Sequence, residues 1–149
     1  MTAGGLYDDY VMDHIKNARN YRVLNDADHT ASGTSPLCGD EITIYVKVKD
    51  DTIADVAFQC TCCGVSMASA SIMTELVKGV RTGDARELAQ EFVTLLTFAA
   101  NGAGTLSTPE RLAMLETVRR YPSRGRCAVL PWATLEHALA QRNDPVVLR

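Results

Sequence analysis

The stretch "FQCTCCGVSMASAS" (Phe58–Ser71) puts three cysteines into four positions and follows them with a run of small residues. It also marks a change of period. Upstream, Glu41 to Val48 alternates, with Ile42, Ile44, Val46 and Val48 on one face. After a "KDD" turn, Thr52 to Gln59 carries Val56 and Phe58 on a common face. Two alternating runs joined by a short polar turn predict an antiparallel hairpin. Downstream, Met67, Ile72, Met73, Leu76 and Val77 recur as on a helix that Ser66 can cap and that ends near Gly79. The crowded cysteines therefore sit where a strand gives way to a helix. Three readings of them compete: buried packing, a redox pair, or a metal site closed by the distant Cys38 and Cys127.

Working outward, Leu6 to Arg19 reads as an amphipathic helix through Leu6, Tyr10, Val11, Ile15 and Ala18. Asn17 to Thr34 is polar and turn-rich, with a short strand placed around Tyr21 to Leu24. "SPLCGD" (Ser35–Asp40) is a loop by its Pro and Gly. Asp84 and Glu87 begin a helix in the manner of a capping box, with Leu88, Phe92, Leu95, Leu96 and Ala99 on one face. "NGAGTLSTPE" breaks it, and Pro109 suits the first turn of a further helix that runs to Tyr121. A last helix carries Trp132, Leu135 and Leu139. No internal repeat or long linker divides the 149 residues, so the expectation is one α+β domain, 1–149, with a small antiparallel sheet covered by helices.

Composition narrows the function classes. A formal charge of −3 gives no reason to expect nucleic-acid binding. No apolar run approaches the roughly 20 residues that span a bilayer, and the first residues show no signal-peptide pattern. A cytoplasmic location is expected, where thiols stay mostly reduced. Five cysteines, an odd number, also argue against a disulfide framework, and favour metal binding or reactivity over stapling.

The predicted hairpin brings the loop before its first strand beside the end of its second. Cys38 and Cys63 become neighbours, and Asp40, two residues after Cys38, can aim a carboxylate at the same point. If the last helix packs on the sheet, Cys127 closes a fourth corner. Three thiolates and a carboxylate suit zinc or the irons of a cluster. His14, His29 and His137 read as surface residues. His137 lies ten residues beyond Cys127, about 15 Å along a helix axis.

Three blocks, "SPLCGDEITIYV", "IADVAFQCTCCGVSMASASIMTELVKG" and "RCAVLPWATLEHAL", resemble the signature blocks of the iron–sulfur cluster assembly scaffold family, the NifU N-terminal and IscU-like fold. The resemblance runs from about Leu6 to Leu139. It implies metal ligands at Cys38, Cys63 and Cys127, with the family's aspartate at Asp40. Arg126 stands where the IscU branch has a histidine, the Leu-Pro-Pro-Val-Lys chaperone motif is absent, and the helical segment around Val80 to Ser107 is longer. These features resemble the SufU branch, whose members hold zinc at this site and take sulfur from a cysteine desulfurase of the SufS kind. The implied recipient is a downstream iron–sulfur assembly complex or an apo-protein. On this reading Cys38 is the sulfur acceptor, Asp40 the labile ligand, and Cys63 and Cys127 the anchors. The alternatives are an IscU-like scaffold that holds a transient iron–sulfur cluster, and a thiol-redox protein using Cys60 and Cys63. The chain departs from the family in having Cys60 and Cys62 where glycines are common.

Overall fold

A computed structural model describes residues 9–36, 39–97, 118, 124–141 and 145–148. Their order is α1 (Asp9–Lys16), β1 (His29–Ser35), β2 (Asp40–Lys49), β3 (Thr52–Thr61), α2 (Gly64–Val77), α3 (Thr82–Thr97), α4 (Gly125–Leu139) and β4 (Val146–Val147). Leu6, Tyr7, Cys38, Ala99 and the helix expected between Pro109 and Tyr121, apart from Val118, lie outside the described residues.

The expected hairpin is β2 and β3. Asp50 and Asp51 take φ of 54° and 60°, the left-handed pair that a two-residue turn needs and that a short polar side chain tolerates. The register sets Ile44 opposite Phe58 and Val46 opposite Val56, and these four share one fully buried face.

The sheet order is β3-β2-β1-β4. β1 corrects the expectation that Asn17 to Thr34 is loop with a short strand at Tyr21 to Leu24. Tyr21 makes only an isolated bridge to Phe58, whereas His29–Ser35 pairs antiparallel with β2 along its whole length. The strand was hidden because its inward residues, Ala31, Gly33 and Ser35, are small. Gly33 must be small, since a Cβ on it would lie 2.2 Å from Thr134 Oγ1 and 3.0 Å from a Leu130 methyl of α4. The sheet is mixed, since β4 pairs parallel to β1.

Helix α2 is buried on nearly every side. Ala68, Ser69, Ala70 and Ser71 are all inaccessible, which matches a helix packed between α1, β3 and α4. Small residues let these neighbours approach, and their hydroxyls then need partners. Ser69 Oγ donates to Ala128 O at 2.6 Å. Ser71 Oγ accepts the Arg19 N–H at 2.8 Å and lies 2.6 Å from His14 Nδ1. The other ring nitrogen, Nε2, lies 3.5 Å from Glu75 Oε1. His14 is thus a buried pin between α1 and α2, correcting its reading as a surface residue, and burial holds it below the ordinary histidine value. On the other side of the core, Phe92 of α3 stacks flat on Trp132 of α4, centroids 4.1 Å apart.

Gly33→Ala should destabilise the fold by about 1–3 kcal/mol, the usual range for overpacking. A lower denaturant midpoint at unchanged slope would show it. A midpoint equal to the parent's would mean that α4 is not seated on β1 as described.

Candidate metal centre

Three chain junctions converge at the open end of the hairpin. Asp40 opens β2 and is buried. Cys63 is the N-cap of α2, a place expected for Ser66, which instead lies inside the first turn. Cys127 is buried in the first turn of α4. One carboxylate oxygen of Asp40 and the two sulfurs all lie within 4.8 Å of one another. The hairpin register explains the first two, because β2 and β3 stay paired up to Glu41 and Thr61 and Cys63 follows two residues later.

The third comes from a defect in α4. Pro131 lies inside that helix and has no N–H, so the carbonyl four residues earlier, that of Cys127, loses its helical donor. Ser66 Oγ stands 2.7 Å from that carbonyl and supplies the missing proton. The same hydroxyl is 2.7 Å from Asp40 Oδ2. Two acceptors thus face one hydroxyl proton. Asp40 Oδ1 is held by the Cys63 backbone N–H at 3.2 Å, and Oδ2 lies 3.6 Å from the Cys63 sulfur. A carboxylate so placed, beside two sulfurs, fits a cation: the mixed sulfur and oxygen set suits zinc or iron. A metal on Asp40 would also leave the Ser66 proton wholly to Cys127.

The Cys63 thiol is pulled down to about 6, first by its hydrogen bond with Cys127, against the opposing effect of burial. The backbone N–H groups of Ser66 and Val65, at the start of α2, lower it further, while the Asp40 charge raises it. Cys63 is therefore largely thiolate at neutral pH, as expected of a cysteine at a helix N-terminus.

Of the four residues read as ligands, the structure brings together Asp40, Cys63 and Cys127. Cys38 lies outside the described residues, two positions before Asp40 in the chain. Cys60 and Cys62 are not members of this cluster and are joined by a disulfide, although the odd cysteine count argued against a disulfide framework. The pair is not the Cys60–Cys63 combination of the redox reading. Among the described residues no histidine joins the cluster, and Arg126 is exposed on the first turn of α4. Ser66 and Pro131 are the functional residues that sequence reasoning missed. Their signal was present in the spacing, a serine three residues after Cys63 and a proline four residues after Cys127.

Residues 6–128 match the family described as NifU-like N terminal domain. The chain belongs to that family. It is 31% identical over 140 residues to the iron–sulfur cluster assembly scaffold protein IscU of Thermotoga maritima, covering 94% of this chain and 96% of the relative. It is 34% identical over 138 residues to the zinc-dependent sulfurtransferase SufU of Bacillus subtilis, covering 93% and 92%. Among solved structures it is similar to the putative iron–sulfur cluster assembly scaffold protein for the SUF system from Fervidobacterium islandicum AW-1. The TM-score is 0.76 at 29% identity, covering 90% of this chain and 96% of that one. A NifU-like N-terminal protein from Brucella abortus, at 22% identity and TM-score 0.77 over 91% and 93% of the two chains, shares the NifU-like fold.

In reduced, metal-free protein, alkylation of Cys63 followed by peptide mapping should rise through a midpoint of about 6, against about 8.5 for a free thiol. Cys127→Ala, which removes the side-chain donor, should move that midpoint upward. The sign for stability follows from the lowered folded value. The contribution is complete above the unfolded thiol's value and is lost as pH falls through about 6. A midpoint near 8.5 in the parent would refute the Cys63–Cys127 hydrogen bond.

Proposed function

We propose that this chain, a single domain over residues 1–149, is an iron–sulfur cluster assembly protein of the SufU type. It accepts persulfide sulfur from a cysteine desulfurase of the SufS kind and passes it to a cluster assembly complex or an apo-protein. The observation that supports this most is the approach of Asp40, Cys63 and Cys127 within 4.8 Å, with Cys38 two residues from Asp40 in sequence. The four would hold zinc, which keeps the bound sulfurs deprotonated at neutral pH.

The chain's own residues do the rest. Cys38, before Gly39 in "SPLCGD", takes the outer sulfur of the donor persulfide by thiolate attack, which breaks the donor's sulfur–sulfur bond and releases the donor cysteine as its thiolate. Cys63 and Cys127, fixed by two helix starts, anchor the site. Asp40 is the exchangeable corner. Its carboxylate is also held by the Cys63 N–H and lies beside the Ser66 hydroxyl, so it keeps polar partners when it releases a metal. Gly39 takes φ of 73°, a left-handed conformation that glycine adopts without steric cost. A second reading, an IscU-like scaffold that holds a transient cluster on the same donors, is favoured by the Thermotoga maritima relative. Zinc, or brown iron with labile sulfide, in anaerobically purified protein separates the two.

Zinc stoichiometry tests the donor set. Cys127→Ser should weaken zinc binding by about 100-fold or more, whereas Cys60→Ser should bind as the parent does. Equal losses in both variants would refute the assignment. Asp40→Ala should keep its metal and slow sulfur release by about tenfold, and a bound cluster should persist longer in it than in the parent. Unchanged transfer and unchanged cluster lifetime would remove Asp40 from any gating role.

A further inference from the structure

Outside the metal-site donors, the sulfur chemistry of the described residues is concentrated in Cys60 and Cys62. They are joined across Thr61, with Cα atoms 5.5 Å apart, within the span disulfides use. Both are half-buried, open enough for a small anion to leave and for a reductant to enter. So short a loop constrains the unfolded chain least among disulfides, which makes stapling a poor reason for it. Cys60 is held in place by its surroundings. Tyr21 Oη donates to its carbonyl at 2.9 Å, lies 3.4 Å from its N–H, and the Tyr21 ring packs edge-on against Phe58. Cys62 lies past the last paired residue of β3 and immediately before Cys63, one peptide unit of about 3.8 Å between Cα atoms. A disulfide-forming sulfur pair thus ends one residue before Cys63, a donor of the site read above as receiving sulfur.

We propose that the Cys60–Cys62 dithiol is a built-in reductant that converts sulfane sulfur arriving at this site into free sulfide. The inference rests on the sulfur-accepting reading given above. In the first step the Cys62 thiolate attacks the outer sulfur of a site persulfide. The new bond makes Cys62–S–SH, and the site cysteine leaves as its thiolate. In the second step the Cys60 thiolate attacks the Cys62 sulfur and expels HS⁻. The sulfur–sulfur bond of the persulfide breaks as the Cys60–Cys62 bond forms. The two electrons that reduce the sulfane sulfur come from the two cysteine sulfurs, and no other oxidant or reductant enters. The state described here, with the disulfide closed, is the oxidised end of that couple. An external dithiol reductant restores it by exchange. Cluster assembly consumes sulfur as sulfide, so the pair would supply at the site itself the reduction that persulfide sulfur needs.

The test uses the full chain, zinc-loaded and fully reduced. It is charged with a small alkyl persulfide and desalted, and no other reductant is added. Sulfide release and peptide masses are then followed together. The parent should release about one sulfide per chain in step with a mapped Cys60–Cys62 disulfide, and then stop. Cys60→Ser and Cys62→Ser should each release about tenfold less and keep the added sulfur, which in Cys62→Ser remains on Cys38, Cys63 or Cys127. Variants that release sulfide as the parent does, or a parent that keeps all of its persulfide, would overturn the dithiol proposal and leave sulfur acceptance standing. A parent and variants that carry no added sulfur on any of those three cysteines would overturn both.

Discussion

The hydroxyl of Ser66 lies 2.7 Å from the Cys127 carbonyl and 2.7 Å from Asp40 Oδ2, and it ties α4, α2 and β2 together at one atom. One of its two acceptors, the Cys127 carbonyl, is free to take its proton because Pro131 has no N–H. Left alone, the buried Cys127 carbonyl would cost about 1–3 kcal/mol. Ser66 removes that cost, and in doing so brings the start of α4 against the start of α2. The same contact delivers the Cys127 sulfur to Cys63. A backbone irregularity in one helix is thereby what assembles the donor cluster.

The rest of the fold supplies a rigid frame for that contact. The buried row of Ile42, Ile44, Val46, Val56 and Phe58 fixes the hairpin register, and a slip of one residue would turn the whole row outward. Register in turn fixes how far Cys63 stands from Asp40. On the helical side, the Phe92–Trp132 stack holds α3 against α4, while Gly33 and the small residues of α2 let α4 come close to both the sheet and α2. Each donor sits at the first or last turn of an element, where backbone groups lack regular partners. That is why Asp40 and Cys63 can trade hydrogen bonds with backbone N–H groups.

Legibility from sequence followed residue size. The hairpin, α2 and α3 were readable because large apolar residues recur at a definite period. β1 was not, since its inward positions are Ala31, Gly33 and Ser35, and the closeness of α4 forbids anything larger at Gly33. His14 was misplaced for a related reason: its burial depends on Ser71, 57 residues away, and no local pattern carries that. At the site, the neighbourhood of Asp40 and Cys63 followed from topology alone. Cys127 needed the packing of a distant helix, which spacing does not encode. The proton shortage at Ser66 needed both Pro131 and the fold.

The cysteine crowding resolves into two separate geometries within four residues. Two residues of a regular strand rise about 6.6 Å, yet the Cα atoms of Cys60 and Cys62 are 5.5 Å apart, so the chain is already leaving strand geometry as β3 ends. Side chains two apart share a side, which lets Cys60 and Cys62 meet. The next residue, Cys63, turns away from them, caps α2 and faces Asp40 and Cys127. If β3 ran one residue further, Cys62 would stay in the ladder and Cys63 could not cap the helix. The strand-to-helix turn is therefore what allows adjacent cysteines to take different partners. It leaves a sulfur pair next in sequence to a donor cluster without making it a member of that cluster.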